Sequence, residues 1–352
     1  MRAARFYGAR DIRIDEVPGP SGDLGARDVA VKPRYCGICG TDLHEYLAGP
    51  LQIPIELSPA GTPSPQILGH ELSGDVTAVG SEVTHVKVGD RISVMPLAYC
   101  GECHYCRRGL NNLCPRMTCV GLMTPWGGFA EVAVIRDYQA WPLPESVSYE
   151  QGAVIEPAAA AGYGVARGQV QAGDTVLVTG GGPIGALAVL AALESGAGQV
   201  YLSEPNEQRR RRAEVLGATA LLDPTAVDVA VEIQARTGGL GADVAIECAG
   251  TGAALATCLG AVRSRAIVSQ VGLHMAPVAI DAMALAQREI SLVGNWGYPV
   301  HEWPRLLNRV ASGAFPIERV VTDKIPLGSI VDRGFDALTD PSSDQIKVLV
   351  EP

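Results

Sequence analysis

Residues 179–196 read TGGGPIGALAVLAALESG. The apolar run TVLVTG leads into Gly180, Gly182 and Gly185, spaced G-x-G-x-x-G, and an alanine- and leucine-rich segment of helical period follows. Between a strand and a helix, the first glycine permits a tight turn and the second lets backbone approach a pyrophosphate. The third lets the helix lie close to the sheet, and the helix N-terminus meets the phosphate charge. Pro183 and Ile184, inside the motif, join the three glycines as cofactor-binding candidates. Glycine-rich turns are common, so the surroundings must decide.

Working outward, six apolar runs alternate with segments of helical period: TVLVTG, QVYLSEP, ATALLDP, ADVAIECAG, RAIVSQVG and EISLVGN. Six buried strands joined by helices predict an open, mostly parallel, doubly wound Rossmann sheet. The second run ends at Glu204, nineteen residues beyond Gly185. An acid there accepts both ribose hydroxyls and repels a 2′-phosphate, which points to NAD rather than NADP. The run EQRRRR at 207–212 is the counter-signal, since its four arginines could hold a 2′-phosphate. It is read as a solvated helix face, with Arg209 kept as a cofactor-binding candidate.

Residues 1–157 have a different rhythm, with short alternating runs such as DVAVKPRYC, HELSGDVTAVG and FAEVAVIR between Gly and Pro turns. They predict a β-rich, barrel-like unit. The expected organisation is a catalytic domain over 1–157, a nucleotide-binding domain over 158–295, and a segment 296–352 that returns to the first. The proline-rich stretch SPAGTPSPQ (58–66) reads as a loop.

Within the first unit, CGECHYCRRGLNNLC (100–114) places Cys100, Cys103, Cys106 and Cys114 at C-x2-C-x2-C-x7-C. Short gaps let three sulfurs converge and the longer return closes a tetrahedron, as in a structural zinc site. An iron–sulfur cluster uses similar spacing. The chain has 352 residues, nine cysteines and a net charge of −10. That charge argues against nucleic acid and anionic membrane partners, which require a basic face. The polar start MRAARFYGARDIRIDEV and the lack of a long apolar run predict a cytoplasmic chain, where clustered thiols are metal ligands more often than disulfides.

A second constellation spans YCGICGTDLHEY, with Cys36, Cys39, Thr41, Asp42 and His44; LGHELSG, with His70 and Glu71; and VIEPAAAAGYG, with Glu156. Cys, His and carboxylate bind a catalytic zinc when one coordination place stays open. With GICGTDLH, GHELSG, the four-cysteine lobe, VIEP and GGGPIG together, the chain resembles the zinc-dependent medium-chain alcohol dehydrogenases along its whole length. It is most similar to their polyol branch of sorbitol, threonine and butanediol dehydrogenases, and within that branch to the butanediol enzymes.

The resemblance implies a GroES-like catalytic domain beside the Rossmann domain, two zinc ions per chain, and a homodimer or homotetramer. It implies Cys39 and His70 as catalytic-zinc ligands, Glu71 or Glu156 as the third, and Asp42 orienting a ligand. Thr41 would bond the substrate hydroxyl and pass its proton toward His44. Cys36, Cys119 and Cys248 are given no role. The implied reaction is hydride exchange between NAD and a small alcohol, with a vicinal diol and its hydroxyketone (2,3-butanediol and acetoin) as the expected pair. A sorbitol-like polyol, L-threonine or another secondary alcohol is the alternative, and a metal or redox sensor on the same fold is the non-enzymatic one.

Overall fold

The apolar runs between residues 175 and 294 do form a single sheet. The computed structural model describes residues 1–20, 24–53 and 65–352; the loop expected at 58–66 lies outside them up to residue 64. The strands stand in the order Ala220–Leu222, Gln199–Ser203, Thr175–Thr179, Ala242–Glu247, Val262–Gln270, Ser291–Gly294. All neighbours are parallel. Val176, Leu177, Val178, Val200 and Leu202 are fully buried. Helices cover both faces of such a sheet, which is why its strands read as unbroken apolar runs rather than alternating ones. Strand order reverses between Thr175–Thr179 and Ala242–Glu247, and the crevice at their C-terminal ends is where doubly wound sheets bind ligands.

The glycine motif does what its spacing predicts. Gly180 has φ +92°, in the left-handed region, and Gly182 caps the helix Pro183–Glu194. A Cβ on Gly185 would lie 1.7 Å from the Gly180 carbonyl oxygen, so only glycine lets the helix come this close.

The first unit is built on a second, largely antiparallel sheet, in the order Ala140–Pro142, Arg91–Val94, Glu71–Val79, Asp28–Gly37, Lys347–Glu351, Val321–Pro326, with Ala133–Arg136 also on Asp28–Gly37. The C-terminal strand therefore lies inside this sheet, antiparallel to Asp28–Gly37. Among the described residues no helix is long and apolar enough to cross a membrane.

The boundary expected at 157 falls inside a secondary-structure element. The pattern changes near residue 157, but one helix, Tyr149–Arg167, runs through that point. Ser148 caps it, accepting from the Gln151 N–H at 3.1 Å. Pro157 has no N–H for the preceding turn, yet the helix continues to Arg167. The change of rhythm falls in the middle of that helix.

Replacing Gly185 with Ala should destabilise the chain by about 1–3 kcal/mol, the usual cost of overpacking. A variant that melts with the parent in a thermal scan would contradict the close approach.

Candidate metal and cofactor site

Cys39 and the helix Gly40–Ala48 begin where the strand Asp28–Gly37 ends. Asp42, fully buried, accepts the Cys39 N–H at 2.9 Å and so fixes the helix start. Its other oxygen lies 3.6 Å from His70 Nδ1. With Nδ1 turned to Asp42, Nε2 is the His70 nitrogen left for a metal. Cys39, His70 and Glu71 each offer a ligand atom, and these atoms lie within 4.8 Å of one another. Burial works against charge on His70, but the Asp42 carboxylate and Cys39 sulfur outweigh it and hold the imidazole well above its usual pKa. The pocket thus attracts positive charge, which suits a dication.

Six of the residues expected at the centre, Cys39, Thr41, His44, His70, Glu71 and Glu156, line a shared cavity of about 300 Å³. Glu71, not Glu156, stands in the tight group with Cys39 and His70. Burial pushes Glu156 up to about 7, with His70 opposing and the Glu71 charge adding to the rise. Thr41 Oγ1 is 3.7 Å from Cys39 Sγ. His44, one helical turn further on, is half-buried, and burial lowers its pKa.

Two residues that no sequence motif singled out individually belong here. Lys347, fully buried, donates to Glu71 Oε1 at 2.8 Å, to Oε2 at 2.6 Å and to the Ile38 carbonyl at 2.8 Å. Tyr298 is buried, and its hydroxyl has no hydrogen-bond partner among the described residues. Burial first, then the nearby Glu156 carboxylate, hold that phenol well above its usual pKa. Both residues lie more than a hundred positions from their partners, so no local motif could announce them. Cys36 is a packing residue, its sulfur 2.6 Å from where a Cβ on Gly128 would sit. Burial keeps the Cys119 thiol up at about 12, and it stands outside the metal group.

Gly182, Pro183 and Ile184 line the same cavity, so the glycine turn opens onto the metal-binding group. Nothing stands within 4 Å of a Cβ built on Gly182, which leaves room for a phosphate. Glu204, 5% exposed, accepts the N–H of Gly181 at 2.5 Å and of Asn206 at 2.8 Å. It is therefore held against the turn at the strand end. The arginine run is in the main the solvated face expected, with Arg211 and Arg212 exposed and Arg209 and Arg210 half-buried, and its charges also find partners. Arg210 bonds the Glu204 carbonyl and pairs with Asp223, Arg211 pairs with Glu207, and Arg212 with Asp344. Arg209 donates to the Leu338 carbonyl at 3.4 Å, and its buried Nε has no partner among the described residues.

The lobe sulfurs of Cys100, Cys103, Cys106 and Cys114 also lie within 4.8 Å of one another. Cys100 and Cys106 Sγ are 3.9 Å apart, near the ~3.8 Å edge of a tetrahedron with zinc–sulfur bonds of ~2.3 Å. A disulfide needs ~2.05 Å, and a multi-iron cluster spreads its cysteines farther apart than one ion does. Backbone N–H groups, that of Glu102 first, bring the Cys100 thiol down to about 6, ready to bind as thiolate.

A nicotinamide-type sheet, an open metal group and a closed four-sulfur lobe define a zinc-type dehydrogenase architecture. Residues 25–145 match the model of the alcohol dehydrogenase GroES-like domain, and residues 183–312 that of the zinc-binding dehydrogenases. The (R,R)-butanediol dehydrogenase of Bacillus subtilis (strain 168) is 38% identical over 358 residues, covering 100% of both chains. The sorbitol dehydrogenase of the same organism is 34% identical, covering 100% of this chain and 97% of its own. A solved structure of 2R,3R-butanediol dehydrogenase from Bacillus subtilis superposes with a TM-score of 0.91 at 36% identity, covering 100% of this chain and 99% of that one. The chain belongs to the zinc-type medium-chain alcohol dehydrogenases, enzymes that use zinc and a nicotinamide cofactor on small-molecule substrates.

Changing Cys103 to Ser should remove about one metal ion per chain and lower the melting temperature, since binding at a closed site is folding free energy. Unchanged metal content by elemental analysis would refute the lobe site.

Proposed function

We propose that the chain is an NAD-dependent dehydrogenase that interconverts a vicinal diol and its hydroxyketone, with 2,3-butanediol and acetoin as the fitting pair. The observation that carries this reading is the shared cavity, in which the Cys39–His70–Glu71 group and the turn Gly182–Ile184 face one space. Leu122, Met123 and Trp296 give that space apolar walls. The methyl ends of a four-carbon diol suit such walls, whereas a hexitol would set hydroxyls against them unpaired. NAD is favoured by the Glu204 carboxylate at the strand end and by arginines already engaged within the chain.

In this proposal Cys39, His70 and Glu71 hold one zinc, with Glu156 across the cavity able to exchange with Glu71, and the lobe holds a second. Gly180, Gly182, Pro183, Ile184, Gly185, Glu204 and Arg209 bind the cofactor. Zinc supplies Lewis acidity that lowers an alcohol's pKa, and nicotinamide is the hydride acceptor. Asp42 orients His70 and the helix start. The Thr41 hydroxyl accepts the alcohol proton while giving up its own, and His44 takes that proton one helical turn away. The apolar walls exclude water and hold the carbon facing the ring. The strand Ser291–Gly294 pairs on one side only among the described residues, so its free edge suits a second copy in a homodimer or homotetramer.

Initial rates with NAD and NADP over (R,R)-, (S,S)- and meso-2,3-butanediol, sorbitol, L-threonine and 2-propanol test the reading. A preference for sorbitol or threonine would replace the diol, and a preference for NADP would overturn the role of Glu204.

Thr41→Val should slow alcohol oxidation by roughly 100-fold, and His44→Gln, which water can partly replace, by about tenfold. Burial lowers the His44 pKa, so the wild-type rate should rise with pH only until the ring is neutral and then level off near neutrality. The His44→Gln rate should keep rising above pH ~7, because no ring is left to take the proton. Superimposable pH profiles would remove His44 from the proton path.

A further inference from the structure

One buried side chain of the lobe bonds a wall of the substrate cavity. Asn112, 2% exposed, lies between the third and fourth lobe cysteines and donates from Nδ2 to the Trp296 carbonyl at 2.7 Å. Its Oδ1 has no partner among the described residues, so this bond is the one polar contact of a buried amide. Trp296 lies 184 positions away and is 43% exposed. It forms a wall between the cavity of about 300 Å³ and a neighbouring one of about 530 Å³.

The segment carrying Trp296 is held from two sides. On the sheet side, Asn295 Nδ2 donates to Ser269 Oγ at 2.8 Å and to the Gln270 carbonyl at 2.9 Å. On the lobe side, the Asn112 bond is joined by packing against Gly297. Gly297 has φ +52°, and a Cβ there would lie 3.7 Å from Asn112 Cβ and 3.9 Å from Leu97 Cδ1. The base of the lobe lines the cavity as well, since Leu97 pairs with Cys119 and both face it.

The stretch between Cys106 and Cys114 contains no apolar core of its own, and beyond the cysteines its buried side chains are Asn111 and Asn112. Whatever closes the four sulfurs therefore also fixes Asn112, which sits two residues before Cys114. We infer that Asn112 is a positioning residue: by holding the Trp296 carbonyl it sets the indole wall of the substrate cavity, so the four-cysteine lobe governs substrate fit as well as its own fold. The kinetic part of this inference rests on the dehydrogenase reading above; the spectroscopic part does not.

Asn112→Leu keeps the size and burial of the side chain and removes the donor, and Asn112→Ala is the second variant. Each is made in the full chain with and without Trp296→Phe, so that difference emission reports the Trp296 indole alone. Acrylamide quenching of that difference signal should rise about twofold, with metal content unchanged. KM for (R,R)-2,3-butanediol should rise about tenfold, the scale of one lost buried hydrogen bond, while kcat and KM for NAD stay within about twofold. In a Trp296→Ala background, Asn112→Leu should change KM no further. Unchanged quenching, an undiminished KM effect in the Trp296→Ala background, or loss of metal in both variants would overturn the inference, the last by assigning Asn112 to the lobe's own fold. A wild-type chain that oxidises no diol but shows the quenching change would reject the diol reading and leave the lobe-to-wall link standing.

Discussion

The ion pair between Lys347 and Glu71 is the contact on which the rest of the centre depends. Both groups are fully buried, and Lys347 donates to both Glu71 oxygens and to the Ile38 carbonyl. Those bonds tie the C-terminal strand to the end of Asp28–Gly37 and to the first residue of Glu71–Val79, three neighbouring strands of one sheet. Losing one partner would leave an unpaired buried charge, which typically costs about 3–5 kcal/mol. The pair also has an electrostatic function. Asp42, Glu71 and Glu156 gather around Cys39 and His70. Lys347, which itself lines the cavity, neutralises one of these carboxylates, and the remaining negative charge is what a zinc ion would balance. Because Lys347 holds both Glu71 oxygens, the geometry of Glu71 toward Cys39 and His70 does not require the ion to be present.

Local motifs were legible in the sequence where chemistry is local. The glycine turn, the six apolar runs and Glu204 follow from short-range rules, because a parallel strand buried on both faces must be apolar throughout. The four lobe cysteines were legible because their spacing alone allows the sulfurs to converge. Lys347 was not, since it reaches the cavity from a stretch (DQIKVLV) that reads as ordinary strand; the loop 294–300 (GNWGYPV) was legible as a pocket loop, but not that Trp296 within it would face the cavity. The choice between Glu71 and Glu156 was likewise a question of three-dimensional distance. The arginine run keeps the solvated face that a row of like charges suggests, but its pairing is only partly local: Glu207 lies one turn back on the same helix, whereas Asp223 and Asp344 come from further along the chain.

The helix through residue 157 explains how the two sheets meet at a working distance. At its first turn, Ser73 and Ser93 of the antiparallel sheet donate to the carbonyls of Tyr149 and Gly152. Toward its far end, Ser269 of the parallel sheet donates to the Gly164 carbonyl at 2.7 Å. Gly164 itself allows Val271 close, since a Cβ there would lie 2.4 Å from a Val271 methyl. Glu156 and Ala160, between these two anchorages, face the cavity. One rigid element thus sets the separation between the metal group and the nucleotide turn. Hydride transfer depends on that separation, because the reacting atoms must be held within about 3–3.5 Å. A flexible linker at 157 would have left that distance to chance, whereas a helix anchored to both sheets fixes it in the fold itself.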